Sequence, residues 1–221
     1  MDRDRLLFMK EGRARFISHL DLMRTFQRAF LRGEIPIKHT EGFNPHPFVS
    51  IALPLSVGFS SRCEILEFGL LPGTSREDVP ARLNRLLPEG ITVLQCYEAV
   101  RPIRELSYLD YDLVIEPATS PEALMRAWEP LLNRESWVVE KPSQKAKSGS
   151  VEIDIATLVN GYNFTAEQGK VVLRVRLMAQ NPGLNPQVLA AALNGAAPEV
   201  CPRSISYGRV EVFDRDGRIF R

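Results

Sequence analysis

The residues best suited to chemistry lie in two short stretches, Arg15-Phe16-Ile17-Ser18-His19-Leu20-Asp21 and Glu41-Gly42-Phe43-Asn44-Pro45-His46-Pro47. Together they hold two of the chain's three histidines, with an Asp, an Asn, two Pro and a Gly. Two imidazoles can cleave RNA by acid–base catalysis, one activating a 2′-hydroxyl and the other protonating the leaving oxygen. His19 and His46 are the candidates for that work, provided the fold brings them together. Asp21 or Asn44 would then fix an imidazole tautomer through one hydrogen bond. Pro45 and Pro47 fix φ and push Asn44 and His46 toward extended backbone, so the loop would aim its side chains rather than merely connect strands. The expectation is one cluster of Ser18, His19, Asp21, Phe43, Asn44 and His46. The competing expectation is a rigid turn with a solvent-facing imidazole.

A basic feature adjoins the first motif. Arg24, Arg28 and Arg32 recur at i, i+4 and i+8, so they stack on one helix face. Guanidinium forks match phosphate bidentately, which makes this ridge, with Arg15, a candidate nucleic-acid surface. The bland alternative is a solvated face on which Asp21 and Glu34 offset the arginines. Residues 1–62 carry ten Lys/Arg against six Asp/Glu, and the rest of the chain is slightly acidic. That balance fits an anionic partner for the N-terminal part. Residues 141–150 are polar and hold three lysines. Lys145 and Lys147 there would clamp a phosphate backbone if the segment is more than a solvated connector.

The elements that must position these residues follow from periodicity. Residues 5–17 read as a strand with a polar turn at Glu11-Gly12. A helix over 19–31 starts at Ser18, with Asp21 in its first turn, and carries a stripe of Leu20, Met23, Phe26, Phe30 and Leu31. Gly33 stops it and Pro36 prevents its continuation. Strands follow at 48–53 and 63–70, a helix at 75–87 and a strand at 91–99. This is the β-α-β-β-α-β order of a ferredoxin-like unit. The order recurs as a strand at 111–115, a helix at 121–132, a strand at 136–140, a hairpin of 151–164 with 170–178, a helix at 186–193 and a strand at 204–213. The fold expected is α+β, with two tandem ferredoxin-like units and antiparallel sheets. Residues 1–100 form one unit and 111–221 the other, with 101–110 as linker.

Composition narrows the function class. Hydrophobic residues are 44% and charged residues 25% of 221, the balance of a globular protein. No apolar run approaches the roughly 20 residues that span a bilayer, and the charged start is no secretory signal. No membrane partner is expected, and the default location is cytoplasmic. Cys63, Cys96 and Cys201 are far apart, which speaks against disulfide, zinc-ribbon and iron–sulfur readings. No HxH or HxxxH spacing, Gly-rich phosphate loop, GxSxG elbow or dinucleotide fingerprint appears, so neither a metal nor a cofactor is expected.

The run Arg15-Phe16-x-Ser18-His19-Leu20-Asp21-x-x-Arg24-x-Phe26-x-Arg28-Ala29, followed by Gly42-Phe43-Asn44-Pro45-His46-Pro47 and Ser50-x-Ala52-x-Pro54-Leu55-x-x-Gly58, resembles the radical-SAM-linked proteins. These form a bacterial family of unknown biochemical function, fused to or encoded beside cobalamin-binding-type radical SAM proteins. The resemblance is densest over 13–67. It thins afterwards to the strand around Asp154 and the Arg203 region. It implies a radical SAM protein as partner. This chain lacks the CxxxCxxC signature, so the resemblance implies an accessory module rather than the radical enzyme.

Three functions follow as expectations. The leading one is an RNA-binding accessory protein, of tRNA or rRNA, that presents its ligand to a partner enzyme. The second is a metal-independent ribonuclease-like or RNA-modifying enzyme using His19 and His46. The third is a protein–protein adaptor that docks through Phe43, Phe48 and Phe59.

Overall fold

A computed structural model of the chain describes residues 3–142, 149–180 and 182–221. Lys145 and Lys147 lie outside the described residues. The fold is mixed α+β, with antiparallel strands and, among the described residues, four α-helices. The chain divides into two units, residues 1–105 with 220–221, and residues 106–219.

In the first unit, β1 (Asp4–Lys10) leads through a 3-10 turn (Gly12–Phe16) to α1 (His19–Arg32). Then come β2 (Val49–Ala52), β3 (Ser60–Phe68), α2 (Asp78–Asn84) and β4 (Ile91–Glu98). Antiparallel pairing puts Leu6 opposite both Leu66 and Cys96, and Ile51 opposite Leu66. The strand order is therefore β4-β1-β3-β2. One face is buried beneath the helices by Leu6, Phe8, Leu66 and Phe68 from the strands, Phe26 and Phe30 from α1, and Val79 and Leu83 from α2. Phe8 meets Phe26 edge-on at 4.8 Å, and Phe30 meets Phe68 at 4.9 Å. Burying a Phe of this kind contributes about 1.5–3 kcal/mol, and a well-placed ring pair about 1 more. On β1's other side, Arg5 is 1% exposed, donates to Glu67 Oε1 at 3.1 and 2.8 Å, and lies under the Phe220 ring.

Three expectations for this unit shift. The strand expected over 5–17 ends at Lys10, because Gly12 at φ +55 turns the chain and Arg13 to Phe16 wind into the 3-10 turn. The stripe of α1 also moves. Leu20 and Leu31 are 66% and 58% exposed, and the buried set is Leu22, Phe26, Ala29 and Phe30, the tighter i, i+4, i+7, i+8 spacing. The second helix is shorter than 75–87. Ser75 Oγ accepts from Glu77 N at 3.2 Å, within the turn before the helix.

The second unit runs β5 (Leu106–Glu116), α3 (Pro121–Leu132), β6 (Val138–Pro142) and β7 (Ser150–Asp154). A 3-10 turn (Ile155–Leu158) leads to β8 (Val159–Glu167), β9 (Lys170–Met178), α4 (Pro186–Ala196) and β10 (Ser204–Asp214). Its sheet has the order β10-β5-β9-β8, all antiparallel. Leu113, Ile115, Leu173, Val175, Trp128, Leu189 and Leu193 are fully buried. The single strand expected over 151–164 is broken. β6 and β7 form a separate hairpin, and Asp154 ends it by accepting from Ala156 N. Residues 101–110, expected as a linker, are divided. Ile103–Glu105 make a 3-10 turn in the first unit, and 106–110 open β5 in the second.

Candidate binding site on the first unit

Lys10, at the end of β1, reaches the start of α1. Its Nζ donates to Ile17 O at 3.0 Å although the residue is only 1% exposed. Burial pushes the ammonium's pKa down, and the Glu64 carboxylate pulls it partly back up. The brace holds the backbone one residue before Ser18. Ser18 Oγ accepts from Asp21 N at 3.2 Å and donates to Asp21 Oδ2 at 2.7 Å, a helix cap closed on itself. Asp21 in turn receives Arg24 Nη1 at 3.4 Å. Before the cap, Arg15 lays its guanidinium 4.7 Å over the Phe16 ring, and Arg15 O accepts from Gly58 N at 2.8 Å. The first motif is thus joined to the Gly58 turn. His19 is half-buried and has no hydrogen bond among the described residues.

The second motif is built differently. Lys38 N donates to Gly69 O at 2.8 Å and Leu71 N to Pro36 O at 2.9 Å, which lays residues 36–38 along the end of β3. On their other side Phe48 N donates to Lys38 O and Thr40 N to His46 O, each at 2.9 Å. The result is a short antiparallel ladder whose tip, residues 41–46, is exposed. Thr40 Oγ1 accepts from His46 N at 3.2 Å and sits 3.1 Å from His46 Nδ1. Asn44 O lies 3.2 Å from the same nitrogen. A carbonyl only accepts, so Nδ1 carries the hydrogen in that contact. Phe43 projects fully into solvent at the tip.

Gln27 fixes where this loop sits. Its Nε2 donates to Pro47 O at 3.1 Å. Gln27 is eight residues from His19, about 12 Å along the axis at 1.5 Å per residue. No hydrogen bond among the described residues links Ser18, His19 or Asp21 to Phe43, Asn44 or His46. The hydrogen bonds make two clusters, one at the start of α1 and one beside its third turn.

Arg24, Arg28 and Arg32 are all exposed, on the face of α1 opposite Leu22, Phe26 and Ala29. Arg24 has its contact with Asp21. Arg28 and Arg32 make no ion pair among the described residues, and Glu34, expected to offset them, pairs with neither. The apolar patch expected of Phe43, Phe48 and Phe59 does not form, because Phe59 is 2% exposed and belongs to the interior.

An open cleft of about 740 Å³ lies beside the ladder, lined by Arg3, Lys38, His39, Thr40, Glu41 and Phe48 among others. Lys38 and His39 fall between the two motifs and carry no sequence signal beyond the alternation after Pro36. Among the described residues no group of three or more His, Cys, Asp or Glu could hold a metal ion. Burial pushes the Cys96 thiol up to about 12, which keeps it from acting as a thiolate. No helix among the described residues is long and apolar enough to cross a membrane.

These features describe a mixed α+β protein with an exposed basic helix and a neighbouring cleft. The chain belongs to the DUF2344 family, described as an uncharacterized protein conserved in bacteria, which it matches over residues 3–186. No curated protein matches it. Among solved structures it is similar to a chain in the crystal structure of a Cbf5-Nop10-Gar1 complex, with a TM-score of 0.53 and 8% identity. That match covers 95% of this chain and 48% of the other, so this chain spans about half its length, and the likeness is one of fold alone. An unknown protein from Galdieria sulphuraria matches at 13% identity over 95% of this chain and 98% of that one. Its TM-score of 0.26 is too low to carry an argument.

Proposed function

We propose that this chain is a non-catalytic accessory module that binds RNA on the exposed face of α1 and presents it to a radical SAM partner. The observation that carries the RNA half is the run of Arg24, Arg28 and Arg32 on one exposed face, with Arg28 and Arg32 free of carboxylate partners among the described residues. Like charges at i, i+4 disfavour a helix by a few tenths of a kcal/mol per pair. A phosphate backbone would relieve that repulsion and accept their bidentate donors. The partner half rests on the resemblance of the Ser18–Asp21 and Gly42–Pro47 motifs to the radical-SAM-linked proteins. In this reading the strands of each unit, ordered fourth-first-third-second with a helix after the first and third, make tandem ferredoxin-like units, and the protein works in the cytoplasm.

Acid–base cleavage by His19 and His46 would need both imidazoles on one phosphate. The Gln27–Pro47 contact ties the second motif to the third turn of α1 and lends that reading no support.

The test is RNA binding over a salt series. Replacing Arg24, Arg28 and Arg32 together by Ala should weaken binding to all sequences and reduce the slope of log K against log salt by about 0.7 per lost contact on single strands. Circular dichroism checks that α1 persists. Unchanged affinity and slope would overturn the RNA half. Failure of the tagged chain to capture a radical SAM protein from its own cells would overturn the partner half.

A further inference from the structure

The cleft beside the 37–40 ladder is lined by side chains of three chemistries. Phe48 and Leu71 give it partly exposed apolar surface, while Ile37 and Phe68 border it from the core, 2% and 0% exposed. Lys38 and Arg3 are its cations. Lys38 forms no ion pair among the described residues, and Arg3 remains half exposed while donating to Glu67 at 3.3 Å. Its acceptors are the Glu41 carboxylate and His39. His39 Nδ1 lies 3.1 Å from Ile37 O. Since the carbonyl only accepts, a neutral His39 ring carries its hydrogen on Nδ1 and offers Nε2 as an acceptor. Gly69 completes the cradle. A Cβ there would lie 2.8 Å from Lys38 Cδ, so the missing side chain lets the lysine stem lie across the end of β3.

A second cavity of about 320 Å³ shares Ile37, His39 and Leu71 with the cleft and opens beside Leu31 and Glu34 at the C-terminal end of α1.

We propose that the cleft holds one nucleotide. Its base lies against Phe48 and Leu71 with its N–H donor, the amino group of adenine or N3–H of uracil, toward His39 Nε2 or Glu41, and its phosphate is bound by Lys38 and Arg3. A fatty acid would leave the two acceptors unused, and a free sugar would gain nothing from Phe48 and Leu71. A cleft of this volume suits a ligand of mononucleotide size. The nucleotide has two possible sources, a free mononucleotide or an unstacked residue of the RNA proposed above, since unstacked bases are what side chains read in single-stranded RNA. The RNA reading enters only through the second source.

The experiment titrates adenosine and uridine monophosphates, and inorganic phosphate alone, into the full-length protein by calorimetry. The same titrations use Lys38→Ala and His39→Ala, both at exposed positions, with circular dichroism as the folding check. At least one mononucleotide should bind and phosphate alone should bind far more weakly, because Phe48, Leu71 and the two acceptors then go unused. Lys38→Ala should weaken mononucleotide binding by about tenfold or more, the worth of a charged hydrogen bond. No binding of either nucleotide at millimolar concentration, or equal binding to wild type and Lys38→Ala, overturns the proposal. A competition arm separates the sources. Displacement of single-stranded RNA by the mononucleotide supports an RNA residue in the cleft. Mononucleotide binding with no RNA binding at all supports the cleft and overturns the RNA reading instead.

Discussion

Lys10 offers a sharp physical test, because a fully buried ammonium braces the first motif. Replacing it with Met keeps the length and removes the charge. The hydrogen bond to Ile17 O, 3.0 Å long and made by a charged donor, contributes about 1.5–3 kcal/mol. Its loss also removes the attraction between the ammonium and Glu64, itself 1% exposed. Against this, the ammonium's desolvation penalty disappears. A net destabilisation of about 2 kcal/mol near neutral pH follows. The pH dependence separates these contributions. Burial lowers the folded pKa of Lys10 below the ordinary 10.5, so the folded chain holds this proton less tightly than the unfolded chain does. Below the lowered value the penalty is fully present. Between it and 10.5 the unfolded state binds more protons, so wild-type stability rises with pH there and the penalty is gone above. The wild-type advantage over Lys10→Met should therefore widen from neutral to alkaline pH. Urea denaturation of both proteins across that range measures it, the comparison cancelling every other lysine and tyrosine. A gap that stays constant or narrows would refute the reasoning, because it would mean that Glu64 outweighs burial.

Ser18→Ala removes both halves of the cap on α1 and should cost about 1 kcal/mol in denaturant unfolding. An effect below about 0.3 kcal/mol would mean that the Lys10 brace alone sets the helix start. Gly90→Ala should cost about 3 kcal/mol, because φ is +86 and the new Cβ would lie 2.4 Å from Glu11 O, where Glu11 N already donates to Gly90 O at 2.7 Å. A loss under about 1 kcal/mol would show that this turn gives way freely. In the second unit, hydrogen bonds from Trp137 N, Ser136 Oγ and Ala156 N hold the Asp154 carboxyl below the usual aspartate range. Its contribution is present above the ordinary aspartate value and is lost as pH falls through the lowered one. The melting-temperature gap between wild type and Asp154→Asn should shrink over that acidic range, and a gap independent of pH would count against the assignment.

What could be read from the sequence is what depends on near neighbours. Ser18 and Asp21 are three residues apart, and the cap is where the sequence places it. Pro121 and Asn185 mark the starts of α3 and α4 for the same local reason. The errors come where two local patterns compete. Leu20 and Leu31 mimic a buried stripe, but only Leu22, Phe26, Ala29 and Phe30 can all face the sheet at once. Residues 136–140 have strand composition, yet nothing local says that they pair with 150–154 in a separate hairpin. The sites fail to be legible for a stronger version of that reason. Lys10 sits in a strand where a lysine would ordinarily face water, and only the return of the chain at Ile17 and of β3 at Glu64 buries it. The cleft at Lys38 and His39 exists because Lys38 N and Leu71 N pair across a distant part of the chain. The two motifs are close in sequence and rich in polar residues, and their hydrogen bonds fall into two groups. Their proximity in sequence is bridged by a helix, and a helix separates as firmly as it connects. Gln27, an unremarked glutamine on its flank, decides where the second motif lies. Arg28 and Arg32 lie on the stretch of α1 from Gln27 onward. A binding role for this unit therefore rests more on Arg28, Arg32, Lys38 and His39 than on the two histidines that first drew attention.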